Sequence, residues 1–227
     1  MLPHLAFSFA RLIAAGRPST FGAIVLTLMS AFASTAPASA ADVKETVTIY
    51  VLRHGETDWN QQGRVQGSTD NALNAKGLEQ AAAVASQLAH VPVDHIYSSG
   101  LTRAIQTAEA FKGKAPITPQ PMLNERSFGI FEGKIEKDVA KDWTPRLANL
   151  NDDMEGGESL ASIAKRVGQA SRDIVKRHPG GTIMIVAHGG VNPLIIGELI
   201  GLAPEKAIKP ISTPTPTPHS APDQPVL

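Results

Sequence analysis

Two short runs of this sequence combine arginine, histidine and glycine in a way that suits an anion. Arg53-His54-Gly55 and His188-Gly189-Gly190 each follow an apolar run directly, and Arg103 lies between them in the chain. Guanidinium groups match phosphate oxygens, and several fixed cations would repel one another unless an anion lay among them. If these groups converge, phosphate is the expected ligand. One neutral imidazole can then attack phosphorus while the other basic groups hold its oxygens, and a nearby carboxylic acid must protonate the leaving alkoxide.

Convergence of these groups depends on the strands that precede them. Thr46 to Leu52 and Thr182 to Ala187 are rich in β-branched residues and have the length of strands covered on both faces, and His95 to Ser98 is a shorter candidate. In an open α/β sheet the ligand lies beyond the carboxyl ends of the strands. Both histidine motifs follow such ends, and Arg103 lies in the first turn of a helix after the third strand. We therefore expect one shared site, where Gly55 and Gly189 let backbone N–H groups approach the anion.

Helical patterns alternate with these strands. Asn74 is placed to cap a helix whose apolar stripe comprises Leu78, Ala81, Ala82, Ala85 and Leu88. A second helix is expected from about Leu101 to Phe111, and a third, capped by Ser159, ends before Pro179. Strands that alternate with helices predict an α/β fold with a mainly parallel sheet.

The composition excludes several other chemistries. The 227 residues contain no cysteine, which rules out disulfides, cysteine-ligated metals and thiol nucleophiles. Lysine and arginine (21) balance aspartate and glutamate (21), so the overall charge does not favour nucleic acid as a partner. The sequence also lacks the Gly-x-Ser-x-Gly, His-Glu-x-x-His and P-loop signatures of other enzyme classes.

The two ends of the chain differ in composition from its middle. Residues 1–40 have no acidic residue, an apolar run from Phe21 to Phe32, and Ala38-Ser39-Ala40 at their end, a pattern typical of a secretory signal peptide. The run is shorter than the roughly 20 residues that span a bilayer, so we expect cleavage and a periplasmic or secreted protein without a permanent membrane span. An uncleaved anchor is the alternative. Residues 210–227 are expected to be a disordered Pro/Thr-rich tail, which leaves residues 41–209 as the folded domain.

Five motifs follow one another at characteristic spacing. They are Leu52–Asn60 (LRHGETDWN) together with Gly63–Gly67 (GRVQG), Ser98–Ala108 (SSGLTRAIQTA), Leu123–Gly133 (LNERSFGIFEG), Gly156–Ser159 (GGES) and Val186–Gly190 (VAHGG). Taken in order, they resemble the histidine phosphatase superfamily in its phosphoglycerate mutase-like branch, over roughly residues 46–202. The resemblance implies a three-layer α/β/α sandwich with a phosphoglycerate mutase-like central sheet.

The resemblance also implies a role for each matched position. His54 would be the nucleophile that forms a phosphohistidine, and Glu125 would protonate the leaving group and then activate water. Arg53, Arg103 and His188 would hold the phosphoryl group. Further contacts to the substrate would come from Asn60, Gln66, Gly67 and Gly189. No metal ion or other cofactor is implied.

The reaction outcome has three alternatives. The segment between Glu125 and Glu158 has room for about one helix, near Ile135 to Leu147, and for no long lid. Mutases of the resembling family carry a longer insertion here, so we expect a phosphatase that hydrolyses small phosphomonoesters. Phosphoglycerate mutase-type transfer is the second candidate, and a catalytically idle phospho-ligand binding module is the third. Glu56 and Glu132 are rivals of Glu125 for the role of the acid.

One departure from the family pattern concerns the end of the domain. After Gly201 a further strand is expected, but this chain soon runs into prolines. Either Ile208 to Ser212 forms a short edge strand, or the sheet lacks one. An uncovered edge would be available to the tail or to a second subunit, so a homodimer is a possible assembly.

Overall fold

The computed structural model of this chain describes residues 11–15, 23–29 and 46–208. The strands are β1 (Arg11–Ala15), β2 (Ala23–Met29), β3 (Thr46–Arg53), β4 (His95–Ser98), β5 (Ile117–Pro119) and β6 (Thr182–Ala187). The α-helices are α1 (Asp58–Gln61), α2 (Ala75–Gln87), α3 (Thr102–Glu109), α4 (Glu136–Trp143), α5 (Leu160–Arg177), α6 (Val191–Ile200) and α7 (Pro204–Ala207). Single 3₁₀ turns occupy Pro121–Leu123, Gly129–Phe131 and Thr144–Arg146.

The strands form one sheet in the order β1-β2-β3-β6-β4-β5. The strands β3, β6, β4 and β5 run parallel, whereas β2 pairs antiparallel with β3, and β1 pairs antiparallel with β2. The central strand β6 is buried from Ile183 to Ala187, as its β-branched composition predicts for a strand covered on both faces. The predicted α/β fold with a mainly parallel sheet is confirmed.

Helices cover both faces of the parallel strands and create two separate cores. On one face, α5 and α6 pack against β3 and β6 through residues such as Ile163, Ile195 and Ile49. On the other face, α2 and α3 pack against β4 and β6 through residues such as Val84 and Ala104. The result is the three-layer arrangement that the family resemblance implies.

The predicted helix caps are present, and the predicted stripe on α2 is only partly correct. The side chain of Asn74 accepts a hydrogen bond from the Gly77 N–H at 2.8 Å, and Ser159 caps α5 in the same way. Ala81 is buried, and Ala85 and Leu88 pack against the core, as predicted. Leu78 and Ala82 are exposed, however, and Gly77 and Val84 are buried in their place. A Cβ atom at Gly77 would lie 2.0 Å from the Glu56 carbonyl oxygen, so this glycine sets the rotation of the helix.

The predictions for the chain ends remain predictions. Most of residues 1–40 and all of residues 210–227 lie outside the described residues, and so does most of the proposed edge segment, of which Ile208 follows α7 in a turn. The edge of β3 is occupied by β2, from the pair Ala23 and Leu52 to the pair Met29 and Thr46. In the described part of the chain, no helix is both long and apolar enough to cross a membrane.

Candidate active site

The carboxyl ends of β3 and β6 bring the two histidine motifs together. The ring centroids of His54 and His188 are 5.1 Å apart, and a cavity of about 410 Å³ opens beside them. His188 is fully buried and is not among the residues that line the cavity. The cavity is lined by the remaining predicted site residues, which are Arg53, His54, Asn60, Gln66, Gly67, Arg103, Glu125 and Gly189.

The geometry around His54 defines which ring nitrogen can act as a nucleophile. Its Nδ1 atom lies 2.7 Å from the carbonyl oxygen of Gly55, and a carbonyl can only accept a hydrogen bond, so Nδ1 carries the proton. Burial, together with the charges of Arg103 and Arg53, lowers the pKa of His54 to about 3. The imidazole is therefore neutral at ordinary pH, with its lone pair on Nε2.

A chain of hydrogen bonds fixes the tautomer of His188. The Ser99 hydroxyl lies 3.1 Å from Asn124 Oδ1, which already accepts the Gly100 N–H, so Ser99 must donate its proton to Asn124. At 2.7 Å from Ser99 Oγ, the Nε2 atom of His188 is then the donor, which leaves the lone pair on Nδ1. That Nδ1 atom is buried and has no hydrogen-bond partner among the described residues. Burial and the neighbouring His54, Arg103 and Arg53 lower the pKa of His188 well below its usual range.

Arg103 is a completely buried cation whose guanidinium is fixed by a loop. Nη1 donates to the Thr69 carbonyl at 2.8 Å, and Nη2 donates to the Gly67 carbonyl at 2.7 Å. Gly67 has a φ of +58°, and a Cβ atom there would collide with Glu132, so only glycine brings this carbonyl into place. Arg103 Nε is buried without a partner in the described part of the chain. Such a donor can bind an anion that enters the cavity.

Arg53 supplies the second guanidinium from the other side of the cavity. It is the last residue of β3 and is exposed. Its guanidinium carbon lies 3.6 Å from the position that a Cβ atom would occupy at Gly189. This is an ordinary van der Waals distance, so the guanidinium lies directly beside the loop that follows β6.

Glu125 is the carboxyl group that the structure singles out. Its Oε2 atom accepts the Gly190 N–H and its Oε1 atom accepts the Arg126 N–H, both at 2.9 Å. Burial raises the pKa of Glu125 even though these two hydrogen bonds and the charge of Arg103 act in the opposite direction. A carboxyl with a raised pKa keeps its proton nearer to neutral pH, as a general acid must.

The two rival carboxylates are occupied elsewhere. Burial alone would raise the pKa of Glu132, but hydrogen bonds from Thr69, Phe128 and Ser68 outweigh it and lower that pKa. Glu56 forms an ion pair with Lys76 at 2.9 Å. Of the three carboxylates, Glu125 is the one that lines the cavity.

The expectation that Gly55 offers its N–H to an anion is wrong. This N–H donates to Thr107 Oγ1 at 3.0 Å. A Cβ atom at Gly55 would lie 2.5 Å from the Gly77 carbonyl oxygen. Gly55 is required for close packing against α2, so its contribution to the site is the carbonyl that orients His54.

Two predicted contact residues also hold the local structure together. Asn60 Oδ1 accepts the Thr57 N–H at 3.2 Å in a capping box at the start of α1. Gln66 Oε1 accepts a hydrogen bond from the Thr57 hydroxyl at 2.8 Å. Both side chains line the cavity as well, so Thr57 connects the loop after β3 to the loop that carries Gly67.

Sequence reasoning, which interprets Trp143 as packing or pocket wall, does not single out the other residues of the cavity wall. This wall includes Arg64, Val65, Arg126, Phe128, Glu136, Trp143 and Leu147. Arg126 and Phe128 belong to the third motif and Arg64 and Val65 to the first, so the motifs offered a signal for these four residues. Glu136, Trp143 and Leu147 come from α4 and the turns after it.

Comparisons with known proteins agree with this geometry. The model of the family described as histidine phosphatase superfamily (branch 1) matches residues 49–215. The chain is 38% identical over 165 residues to the metal-independent phosphoserine phosphatase of Arabidopsis thaliana, a match that covers 66% of this chain and 68% of that protein. It is 33% identical over 161 residues to the probable phosphoglycerate mutase GpmB of Enterobacter sp. (strain 638), covering 68% of this chain and 75% of that protein.

A solved structure shows the same fold. It is a mutant phosphoserine phosphatase from Entamoeba histolytica in complex with phosphoserine, with 32% identity and a TM-score of 0.62. The match covers 71% of this chain and 83% of that chain. The family match, the relatives and the geometry agree, and the chain belongs to branch 1 of the histidine phosphatase superfamily.

Proposed function

We propose that this protein is a phosphatase that hydrolyses small phosphomonoesters through a covalent phosphohistidine at His54. The observation that carries the proposal is the neutral imidazole of His54, with Nδ1–H bound to the Gly55 carbonyl and a low pKa, in a cavity shared with two guanidinium groups. A neutral imidazole is a good nucleophile, and the cations would bind the phosphate that it attacks.

The first step forms a bond between Nε2 of His54 and phosphorus while the ester P–O bond breaks. The departing alkoxide takes the proton of Glu125, whose raised pKa keeps that proton available. Arg53 and Arg103 hold the phosphoryl oxygens as charge moves across the group. A stabilising donor of this kind lowers the barrier by roughly 3 to 4 kcal/mol, about a hundredfold to a thousandfold in rate.

The second step returns the enzyme to its starting state. Glu125, now ionised, accepts a proton from a water molecule, and the water oxygen attacks phosphorus as the P–N bond breaks. Inorganic phosphate then leaves. His188 supports both steps, because a phosphate dianion next to it favours protonation of its Nδ1 atom and so adds a positive charge at the base of the site.

Hydrolysis is favoured over phosphoryl transfer by the short segment that follows Glu125. Between Arg126 and Glu158 the chain forms α4 and two single 3₁₀ turns, with no long lid. A mutase must exclude water from its phosphoenzyme, whereas a phosphatase must admit it. The relatives include proteins named for each activity, so sequence identity alone does not separate hydrolysis from phosphoryl transfer. The short segment after Glu125 is the stronger support for hydrolysis.

The experiment compares the purified protein with its His54→Ala variant. The wild type should release phosphate from an aryl phosphate and form an acid-labile phosphoenzyme, and the variant should do neither. Phosphate release by the variant at the wild-type rate would refute the proposal. Incubation with 3-phosphoglycerate and a bisphosphoglycerate primer tests the mutase alternative, since isomerisation faster than phosphate release would favour it. An idle binding module would bind vanadate but release no phosphate.

We also propose that the protein is exported. The support is the composition of residues 1–40, with its apolar run and the Ala38-Ser39-Ala40 sequence before a predicted cleavage site. N-terminal sequencing of the protein from the periplasm or medium of an expressing bacterium should begin at Ala41. A cytoplasmic protein that retains Met1 would contradict export.

A further inference from the structure

Nine of the residues that line the cavity are apolar. They are Val65, Phe128, Trp143, Leu147, Leu160, Ile163, Pro193, Leu194 and Ile208. These residues come from stretches that are far apart in the chain, including α4, α5 and α6. The fold therefore assembles an apolar wall at the place where the alcohol part of a bound phosphate ester would lie.

Arg126 and Arg64 along this wall are already used by the protein, whereas the exposed carboxylate of Glu136 also lines the cavity. Arg126 donates three hydrogen bonds to backbone carbonyls, those of Glu158, Leu147 and Asp152. Arg64 donates to Gln62 Oε1 and to the Gly133 carbonyl. A substrate hydroxyl or ammonium group placed against the apolar side chains, away from Glu136, would lose water without gaining an equivalent partner, which costs free energy.

The wall is also preformed. Trp143 is 6% exposed and packs edge-to-face on Phe128 with ring centroids 4.5 Å apart. Both rings belong to a cluster with Val65, Phe131 and Met154. Because packing holds these side chains in place, an apolar ligand would not have to order them on binding.

We propose that the preferred substrates are phosphomonoesters of apolar alcohols, with an alkyl or aryl group against this wall. The inference rests on the proposed phosphatase function and specifies the leaving group that it selects. Each methylene that moves from water to the wall should raise kcat/KM by about twofold to fourfold. Esters of polar alcohols, such as glycerol phosphate and phosphoserine, gain less from the apolar side chains of this surface.

The test is a series of straight-chain alkyl phosphates from methyl to hexyl, compared with glycerol 1-phosphate and phosphoserine. The straight-chain alkyl esters release alkoxides of nearly equal basicity, so differences in rate along that series report binding rather than leaving-group chemistry. We expect kcat/KM to rise along the series and hexyl phosphate to exceed glycerol 1-phosphate by about tenfold or more. A flat series, or faster turnover of phosphoserine or glycerol 1-phosphate, would overturn the inference and leave the phosphatase function standing.

Failure of the proposed function has a different signature. If the protein hydrolyses none of these esters, phosphatase activity is refuted, and binding of hexyl and methyl phosphonate, measured by calorimetry, then tests the wall alone. Tighter binding of hexyl phosphonate would support an apolar subsite. Equal binding of the two phosphonates would overturn it.

A pair of matched variants tests whether the preference for long alkyl chains arises at the apolar wall. Leu147 lines the cavity, whereas Leu150, three residues further on, is 37% exposed and lies outside the cavity lining. Leu147→Asn should raise KM for hexyl phosphate and reduce its kcat/KM at least fivefold more than that of methyl phosphate. Leu150→Asn should change neither. Equal losses on both substrates in Leu147→Asn would indicate a structural role and contradict the inference.

Discussion

Lowering the pH from 8 to 5 is expected to destabilise the folded protein through His54. An unperturbed histidine side chain has a pKa of 6.5, whereas the pKa of His54 in the folded protein is about 3. The neutral form is therefore favoured in the folded state, and protons bind preferentially to the unfolded chain. Stability contributed by the neutral ring is lost as the pH falls below 6.5, and the loss continues down to about pH 3.

The size of the effect follows from these two values. At pH 5 the unfolded imidazole is about 97% protonated, whereas buried His54 is still almost entirely neutral. The free energy of unfolding should therefore decrease by about 2 kcal/mol between pH 8 and pH 5 from this residue alone. That is a large share of the roughly 5 to 15 kcal/mol that stabilises a typical domain.

Urea unfolding of the wild type and of His54→Gln at both pH values measures this contribution. His188 and Glu125 also titrate differently in the folded and unfolded states, but they remain in both proteins, so their effects largely cancel in the comparison. The wild type should lose about 2 kcal/mol more than the variant on acidification. The same pH dependence in wild type and His54→Gln would show that His54 is not held as a buried neutral ring.

Three other substitutions test separate parts of the structure. Gly77→Ala should reduce the free energy of unfolding by about 1 to 3 kcal/mol in urea titration, because its new Cβ meets the Glu56 carbonyl; an unchanged midpoint would contradict the packing. Ser99→Ala removes the acceptor for His188 Nε2–H and should alter the pH dependence of kcat, whereas a purely structural role would lower kcat equally at every pH. In Glu125→Gln the phosphoenzyme should accumulate after one turnover of an activated aryl phosphate, with steady-state kcat about a hundredfold to ten-thousandfold lower. The decline of wild-type kcat/KM as rising pH ionises Glu125 should also disappear in that variant, and a persisting decline would assign it to another group.

Features that depend on neighbouring residues were predictable from the sequence. The strands β3 and β6, the caps at Asn74 and Ser159, and the single helix before Glu158 all have local causes in side-chain type and spacing. The parallel sheet follows from their alternation, and its carboxyl edge then brings His54 and His188 together.

Features that depend on contacts between distant segments were not predictable. The rotation of α2 is set by backbone contact between Gly77 and the Gly55-Glu56 turn, which an apolar stripe does not reveal. The hydrogen bond from His188 to Ser99 joins residues 89 positions apart. The apolar wall combines residues of α4, α5 and α6 with loop residues such as Val65, and a residue such as Leu147 has the same sequence character whether it lines a cavity or packs in a core.

The residues of β2, which pair antiparallel with β3, have two roles that exclude each other. Ala23–Met29 completes the hydrogen-bonding edge of β3 over seven residue pairs, yet it also falls within the apolar run of the predicted signal peptide. A precursor that is threaded through a translocation channel must give up this pairing, and proteolytic maturation after Ala40 would remove the strand permanently. The mature protein would then expose the N–H and C=O groups of β3, a surface that readily recruits another strand. If the leader is retained, β2 stays paired with β3 and covers that edge. Cleavage at one peptide bond would therefore determine whether β3 is a paired strand or an exposed edge strand that can pair with another chain.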